Sequence, residues 1–233
     1  MHKDVGGVLV DVTEFKSLSG GLRYLIHTRP GLAYSIGIIS RFMERPTMLH
    51  YNAAKRVLRY VKGTINFELT YTKDSRNNLV TGYSDSDLGG NIEDRKITGV
   101  MAFYLNEGLV TWVSQKQLCV ALSSCEAEFM AATAAACQAI WLKKLLSQIT
   151  GEETGPVTIY IDNRSAIDLE KNPVFHSRSK HINIRYHFIR ECIENEEIVV
   201  KHVRTDEQRA NSLTKALTTF KFEKMIKLPG VDA

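Results

Sequence analysis

The chain has 233 residues, 44% of them hydrophobic and 24% charged, which is a globular composition and excludes a disordered protein. No apolar run approaches the roughly 18 residues needed to span a bilayer, and no secretory leader is recognisable, so we expect an intracellular protein without a membrane partner. The four cysteines lack the spacing of a zinc site and are expected to be reduced thiols.

The net charge of +4 is distributed unevenly along the chain. Residues 1–74 contain 11 Lys/Arg and 6 Asp/Glu, whereas the remainder contains 19 and 20. Such a basic excess favours a polyanion partner, for example a nucleic-acid backbone. A solvated helix face is the alternative interpretation.

The first third of the chain is predicted to be helical. Pro30 suits the start of the second helix, and a third helix is predicted to end at Gly63. The alternating residues 67–72 predict a short strand, and the polar residues 73–78 after them a connection between domains. The apolar face of the third helix is predicted to consist of Ala54, Val57, Leu58 and Val61.

The pattern changes at Leu79. Three successive antiparallel strands are predicted, then a long alanine-rich helix that Gly151 ends. A strand, two helices, a fifth strand and a last helix over residues 206–217 follow. This order predicts an α/β fold with a mixed five-stranded sheet flanked by helices. The predicted units are a helical segment (1–76), a sheet domain (77–218) and a tail (219–233).

Carboxylates are predicted at the ends of several elements. Asp85 ends the first strand of the sheet domain, and Asp162 ends the fourth. In the long helix, Ser123 and Glu126 fit a capping box, and Glu128 points about 200° away from Glu126. If these elements are neighbours, Asp85, Glu128 and Asp162 meet and need a hard cation such as Mg²⁺. An ordinary turn is the alternative reading for each aspartate.

Five motifs together resemble the ribonuclease H domain of Pol polyproteins from copia-type retrotransposons. Residues 20–64 are similar to the segment that joins reverse transcriptase to ribonuclease H in those elements. The resemblance implies a ribonuclease H-like fold in a cytoplasmic virus-like particle or the nucleus, with a polymerase domain supplied elsewhere. The five motifs are "GYSDSD", "LSSCEAEFMAA", "VTIYIDNRSAI", "SKHINIRYHFIRE" and "HVRTDEQRANSLTKAL".

The same resemblance implies cleavage of the RNA strand of an RNA–DNA hybrid with two Mg²⁺ ions, for which Mn²⁺ substitutes. The family's Asp-Glu-Asp-Asp set falls on Asp85, Glu128, Asp162 and, at the fourth position, Asn211. The family's mobile histidine falls on His202, for which an exposed strand-end imidazole is the alternative.

Asn211 departs from the family pattern, which has aspartate at this position. An amide offers a metal one neutral carbonyl oxygen, so the second ion is expected to bind less tightly. A catalytically inactive nucleic-acid-binding or interaction module from a decayed or domesticated element is therefore the alternative to an active enzyme. An integrase-like or Holliday-junction nuclease fits the three carboxylates but not the flanking motifs.

Candidate substrate contacts are basic. Lys116 follows the third strand, and Arg178 and Lys180 precede a helix. A solvated turn and a plain helix start are the respective alternatives. Trp112 and Trp141 are expected to be core or rim aromatics rather than base-stacking residues.

Overall fold

The computed structural model describes residues 1–71, 79–87, 97–117, 120–121, 123–171, 180–214 and 231–232. These ranges contain six α-helices: α1 (Val12–Leu25), α2 (Ala33–Ile39), α3 (Met48–Gly63), α4 (Ser124–Thr150), α5 (Arg164–Lys171) and α6 (Lys180–Glu194). They also contain seven strands: β1 (Glu68–Leu69), β2 (Val80–Asp87), β3 (Thr98–Leu105), β4 (Gly108–Lys116), β5 (Val157–Ile161), β6 (Ile198–His202) and β7 (Val231–Asp232).

Five strands form one mixed sheet in the order β4-β3-β2-β5-β6. As predicted, β2, β3 and β4 are antiparallel neighbours. β5 runs parallel to both β2 and β6. The central strand β2 therefore has an antiparallel neighbour on one side and a parallel neighbour on the other. The predicted α/β fold with a mixed five-stranded sheet flanked by helices is confirmed.

Helix α4 packs against the sheet. It begins where the sequence predicts, because Ser123 Oγ accepts a hydrogen bond from the backbone N–H of Glu126 at 3.1 Å. It ends at Gly151, whose φ of 73° carries no steric penalty for glycine. Small side chains on the buried face let the helix approach the strands closely. These are Ala127, Ala131, Ala132, Ala135, Ala136 and Ala139.

The helices of the first third enclose a core of their own, which includes Phe15, Ile36 and Val57. The predicted apolar face of α3 is wrong at Leu58, which is 42% exposed. The buried stripe of α3 passes through Ala54 and Val57, and Leu58 lies about 40° past Ala54 on the side away from Val57, at the margin of the stripe.

Pro30 begins a short 3₁₀ turn (Pro30–Leu32) directly before α2. The prediction that this proline starts the second helical stretch is therefore right.

The helical segment also packs against the sheet. Ala33 of α2 shares a buried cluster with Ala102 of β3 and Leu213. Two polar contacts join the same surfaces. Arg41 Nη2 donates to Thr98 Oγ1 at 3.1 Å, and Trp112 Nε1 donates to the Ile26 carbonyl oxygen at 3.0 Å. The boundary predicted between residues 76 and 77 lies outside the described residues.

Two predicted elements differ from the structure. The strand predicted over residues 67–72 is limited to Glu68–Leu69, which pairs antiparallel with Val231–Asp232 of the predicted tail. The described part of the predicted last helix is a 3₁₀ turn, Arg209–Leu213. Gln208 explains this conformation, because its Nε2 donates to the Ser84 carbonyl oxygen at 2.9 Å while its Oε1 accepts from the Ala210 N–H at 3.3 Å.

The two tryptophans lie in different environments. Trp112 is partly buried against the helical segment, as expected of a core or rim aromatic. Trp141 is 56% exposed on α4, which excludes the core and leaves the rim position that was also expected. Within the part of the chain that the structure describes, no helix has the length and apolarity that crossing a membrane requires.

We expect Gly82→Ala to destabilise the fold. A Cβ at this buried position of β2 would lie 2.5 Å from Cε1 of Phe103, a fully buried ring. Overpacking of this kind costs about 1–3 kcal/mol.

The matched control is Gly21→Ala in α1, where a Cβ meets nothing within 4 Å. There the helix propensity of alanine is expected to add about 0.5–1 kcal/mol. Urea unfolding of both variants checks the pair, and equal midpoints would contradict it.

Candidate functional site

Asp85 lies in the central strand β2 and is only 3% exposed. The strand continues to Asp87, so the prediction that Asp85 ends it is wrong by two residues. Pairing explains the difference, because the β2–β3 ladder persists to the pair Asp87–Thr98. Asp85 Oδ1 accepts a hydrogen bond from the Ser86 N–H at 2.9 Å, and Oδ2 accepts one from Thr214 Oγ1 at 2.7 Å.

Glu128 reaches the sheet from the first turns of α4 and is 6% exposed. Its Oε1 accepts hydrogen bonds from Ser86 Oγ at 2.9 Å and from the Ser86 N–H at 3.2 Å. Its Oε2 is buried and has no hydrogen-bond partner among the described residues. Glu126 stands at the start of the helix instead, where its N–H donates to Ser123.

Asp162 follows directly after β5 and is partly buried. β5 and β2 are parallel neighbours, with Tyr160 opposite Tyr83. Asp162 and Asp85 each lie two residues beyond this pair. They therefore lie at the same level on adjacent strands and project to the same face of the sheet.

The three carboxylates converge at this point. One oxygen from each of Asp85, Glu128 and Asp162 lies within 4.8 Å of the others. Burial and the neighbouring charges of Asp85 and Asp162 raise the pKa of Glu128 from its ordinary 4.5 to about 8. The two hydrogen bonds from Ser86 oppose this rise in the pKa without cancelling it. At neutral pH without a cation, Glu128 is therefore largely protonated.

Asn211 is 1% exposed in the 3₁₀ turn after β6. Its Nδ2 donates to the Thr205 carbonyl oxygen at 2.8 Å, and its Oδ1 has no partner among the described residues. The Thr214 hydroxyl lies 3.0 Å from the Asn211 carbonyl oxygen and 2.7 Å from Asp85 Oδ2. Asn211 is thus connected to Asp85 through Thr214, whereas its role as a metal ligand stays a prediction.

His202 and Lys116 lie at strand ends. His202 is the last residue of β6, opposite Ile161 of β5, and its side chain is exposed. Lys116 ends β4 opposite Thr98 of β3, which in turn lies opposite Asp87 of β2. Both residues thus stand at the edge of the sheet where the carboxylates meet. Their functional roles stay predictions.

The other two predicted substrate contacts have no described side chain. Arg178 lies outside the described residues. Lys180 is the first residue of α6, and only the backbone of Lys180 is described.

Sequence reasoning missed the residues that position the carboxylates. Ser86 binds both Asp85 and Glu128, Thr214 binds Asp85, and Gln208 fixes the turn that carries Thr214 to β2. Ser86 and Thr214 lie inside the motifs "GYSDSD" and "SLTKAL". Their position within these motifs is the only sequence feature that could have identified them, because serine and threonine side chains are not themselves typical metal ligands.

No protein-family model matches the chain. The retrovirus-related Pol polyprotein from transposon TNT 1-94 of Nicotiana tabacum is 39% identical to it over 220 residues, which cover 94% of this chain and 16% of the polyprotein. The Pol polyprotein from transposon RE1 of Arabidopsis thaliana is 39% identical over 226 residues, or 97% of this chain and 15% of the polyprotein. The chain thus spans about one sixth of the length of these relatives.

Among solved structures, the foamy viral protease-reverse transcriptase in complex with RNA/DNA hybrid aligns with 89% of this chain and 26% of its own. The TM-score is 0.53 at 14% identity, a likeness that concerns the fold. The sequence similarity to the Pol polyproteins extends over almost the whole chain, so it includes the sheet, its helices and the five motifs. Over almost its whole length, the chain is therefore homologous to one segment of retrovirus-related Pol polyproteins from transposons.

Proposed function

We propose that the chain is a ribonuclease H-type endonuclease domain that hydrolyses the RNA strand of RNA–DNA hybrids with two divalent ions. The observation that carries this proposal is the buried group formed by Asp85, Glu128 and Asp162. Homology to one segment of transposon Pol polyproteins supports it, as does the fold shared with a foamy viral enzyme that was solved with an RNA/DNA hybrid. A polymerase domain elsewhere in the polyprotein is the proposed partner.

The three side chains fit a hard cation. All the donors are carboxylate oxygens, which Mg²⁺ prefers and Mn²⁺ accepts. Glu128 Oε2 is a buried acceptor without a partner among the described residues, and a cation would satisfy it. When bound, such ions neutralise the phosphodiester and lower the pKa of a bound water. Asp85, Glu128 and Asp162 are the proposed ligands, with Asn211 as a weaker fourth.

The neighbouring residues orient these ligands. Ser86 holds Oε1 of Glu128 through two hydrogen bonds, which leaves Oε2 as the acceptor for a cation. Thr214 fixes Oδ2 of Asp85. Ligation of a cation requires the Glu128 carboxyl to lose its proton to solvent. We further propose that His202 carries protons at the sheet edge and that Lys116, Arg178 and Lys180 contact substrate phosphates.

Asn211 favours a second candidate function. Its side chain adds no charge to the site, and its amide already donates to the Thr205 carbonyl. An inactive nucleic-acid-binding or interaction module would tolerate this residue, whereas a fully active two-ion enzyme is weakened by it. The two candidates differ in whether the native protein cleaves a hybrid at all.

The first test compares two glutamates of one helix in hybrid cleavage. Purified native protein is expected to cut the RNA strand of a labelled RNA–DNA hybrid in Mg²⁺ and in Mn²⁺. Glu128→Gln is expected to lower the rate by about tenfold or more, since it removes a charged ligand. Glu126→Gln, two residues away and outside the carboxylate group, is the control and should stay within about twofold. Absence of cleavage by native protein in both ions would favour the inactive module.

The second test uses the pKa of Glu128, which is about 8 in the folded chain against an ordinary 4.5. Below pH 4.5 Glu128 is protonated in both the folded and the unfolded chain, so its ionisation does not lower the free energy of unfolding. As pH rises towards 8, only the unfolded chain loses it, and the free energy of unfolding falls by up to about 1.4 kcal/mol per pH unit.

The measurement is urea unfolding in EDTA between pH 5 and 8.5, for native protein and Glu128→Gln. Native protein is expected to lose stability relative to the variant as pH rises through this range. Parallel curves for the two proteins would show that Glu128 ionises as it does in the unfolded chain, and would contradict the burial argument.

The third test restores the fourth carboxylate. Asn211→Asp replaces the amide donor to Thr205 by a second acceptor, so we expect lower stability in EDTA. The added charge should give a larger Mg²⁺-dependent rise in melting temperature than in native protein and faster cleavage. Asn195→Asp, the same change at an exposed turn residue, is the control. If both variants respond to Mg²⁺ as native protein does, Asn211 is not at a metal position.

A further inference from the structure

A basic cavity of about 650 Å³ lies between helices α1 and α2 and strand β4. It is lined by three permanent cations, Arg23, Arg41 and Lys116, and by His27. None of the described residues that line it is acidic. We propose that this cavity binds the phosphate backbone of a single-stranded nucleic-acid segment, at a site separate from the carboxylate group.

The walls of the cavity are fixed by contacts between the helical segment and the sheet. Arg41 donates a hydrogen bond from Nη2 to Thr98 Oγ1 at 3.1 Å. Trp112 is held by the bond from its Nε1 to the Ile26 carbonyl oxygen at 3.0 Å. A preformed site of this kind binds with less loss of side-chain entropy than a site built from mobile surface lysines.

The cavity extends to the end of the sheet where the carboxylates lie. Lys116 and Thr98, which both line it, are cross-strand partners in β4 and β3, and Thr98 is the partner of Asp87 in β2. Strands lie about 4.8 Å apart, so Lys116 is about 10 Å across the sheet from Asp87. Asp87 is two residues past Asp85 in β2, so Lys116 lies at the same end of the sheet as the carboxylate group.

The chemistry of the lining favours nucleic acid over an acidic peptide. Tyr24 lines the cavity and is 78% exposed, so its ring is available for stacking on a base. Cations that follow a backbone, together with exposed aromatic rings, are typical of single-strand binding grooves. A cavity volume of about 650 Å³ lies in the usual range for ligand sites.

Binding is tested on the whole chain in EDTA, so that hydrolysis at the carboxylate group plays no part. The probe is a fluorescent 20-nucleotide single-stranded DNA, followed by anisotropy across a salt series. Arg23→Gln and Lys116→Gln are each expected to weaken binding by about threefold or more. Each is also expected to reduce the slope of log K against log salt by about 0.7, the value for one phosphate contact to a single strand.

The matched control is Arg59→Gln, which removes the same charge from an exposed position of α3 outside the cavity lining. It is expected to change affinity by less than twofold. Tyr24→Ala should weaken binding and Tyr24→Phe should restore it, since the phenyl ring alone supports stacking. Circular dichroism melting of each variant verifies the fold.

An equal loss for Arg59→Gln would overturn the proposal in favour of general electrostatic attraction. The proposal would also be overturned if the protein bound a peptide rich in aspartate and glutamate but did not bind the oligonucleotide. That result would assign the cavity to a protein partner. If native protein binds the oligonucleotide in the expected way but does not cleave a hybrid, the result contradicts the proposed hydrolysis and supports the cavity site.

Discussion

Electrostatic repulsion among Asp85, Glu128 and Asp162 is the interaction on which the rest of this site depends. Their oxygens lie within 4.8 Å of one another, and two of the three residues are buried. A low-dielectric environment makes such repulsion strong, so one carboxyl keeps its proton until a cation arrives. Glu128 is that carboxyl, because it is buried beside two acidic neighbours and its Oε2 lacks a hydrogen-bond partner among the described residues, whereas both oxygens of Asp85 accept hydrogen bonds.

The fold opposes this repulsion with backbone geometry and hydrogen bonds. The parallel pairing of β2 and β5 sets the two aspartates side by side, and α4 brings Glu128 to them from one helix end. Ser86 binds the carboxylates of both Asp85 and Glu128. The 3₁₀ turn after β6 contributes Thr214, and Gln208 attaches that turn to β2 at Ser84. These hydrogen bonds fix the orientation of Asp85 and Glu128, which is the requirement for a preorganised metal site.

The sequence predicts most of this architecture where local patterns decide it. Short β-rich runs separated by Gly, Asn and charged residues locate β2, β3 and β4. The spacing from Ser123 places Glu126 in the first turn of α4 and distinguishes it from Glu128. Prediction fails where a distant residue decides the outcome. The turn at Arg209–Leu213 is 3₁₀ because Gln208 is bound to a strand more than a hundred residues earlier in the chain. Likewise, no pattern in β2 could show that pairing with β3 extends it past Asp85.

The central claim is that the three carboxylates form a divalent-cation site whose glutamate is protonated until the ion binds. Titration calorimetry of Mg²⁺ at pH 7, in buffers of different ionisation enthalpy, tests it directly. Because the pKa of Glu128 is about 8, binding is expected to release close to one proton per event, and fewer as pH rises towards 9. A binding heat that is the same in every buffer would mean that no proton leaves, and would contradict the account.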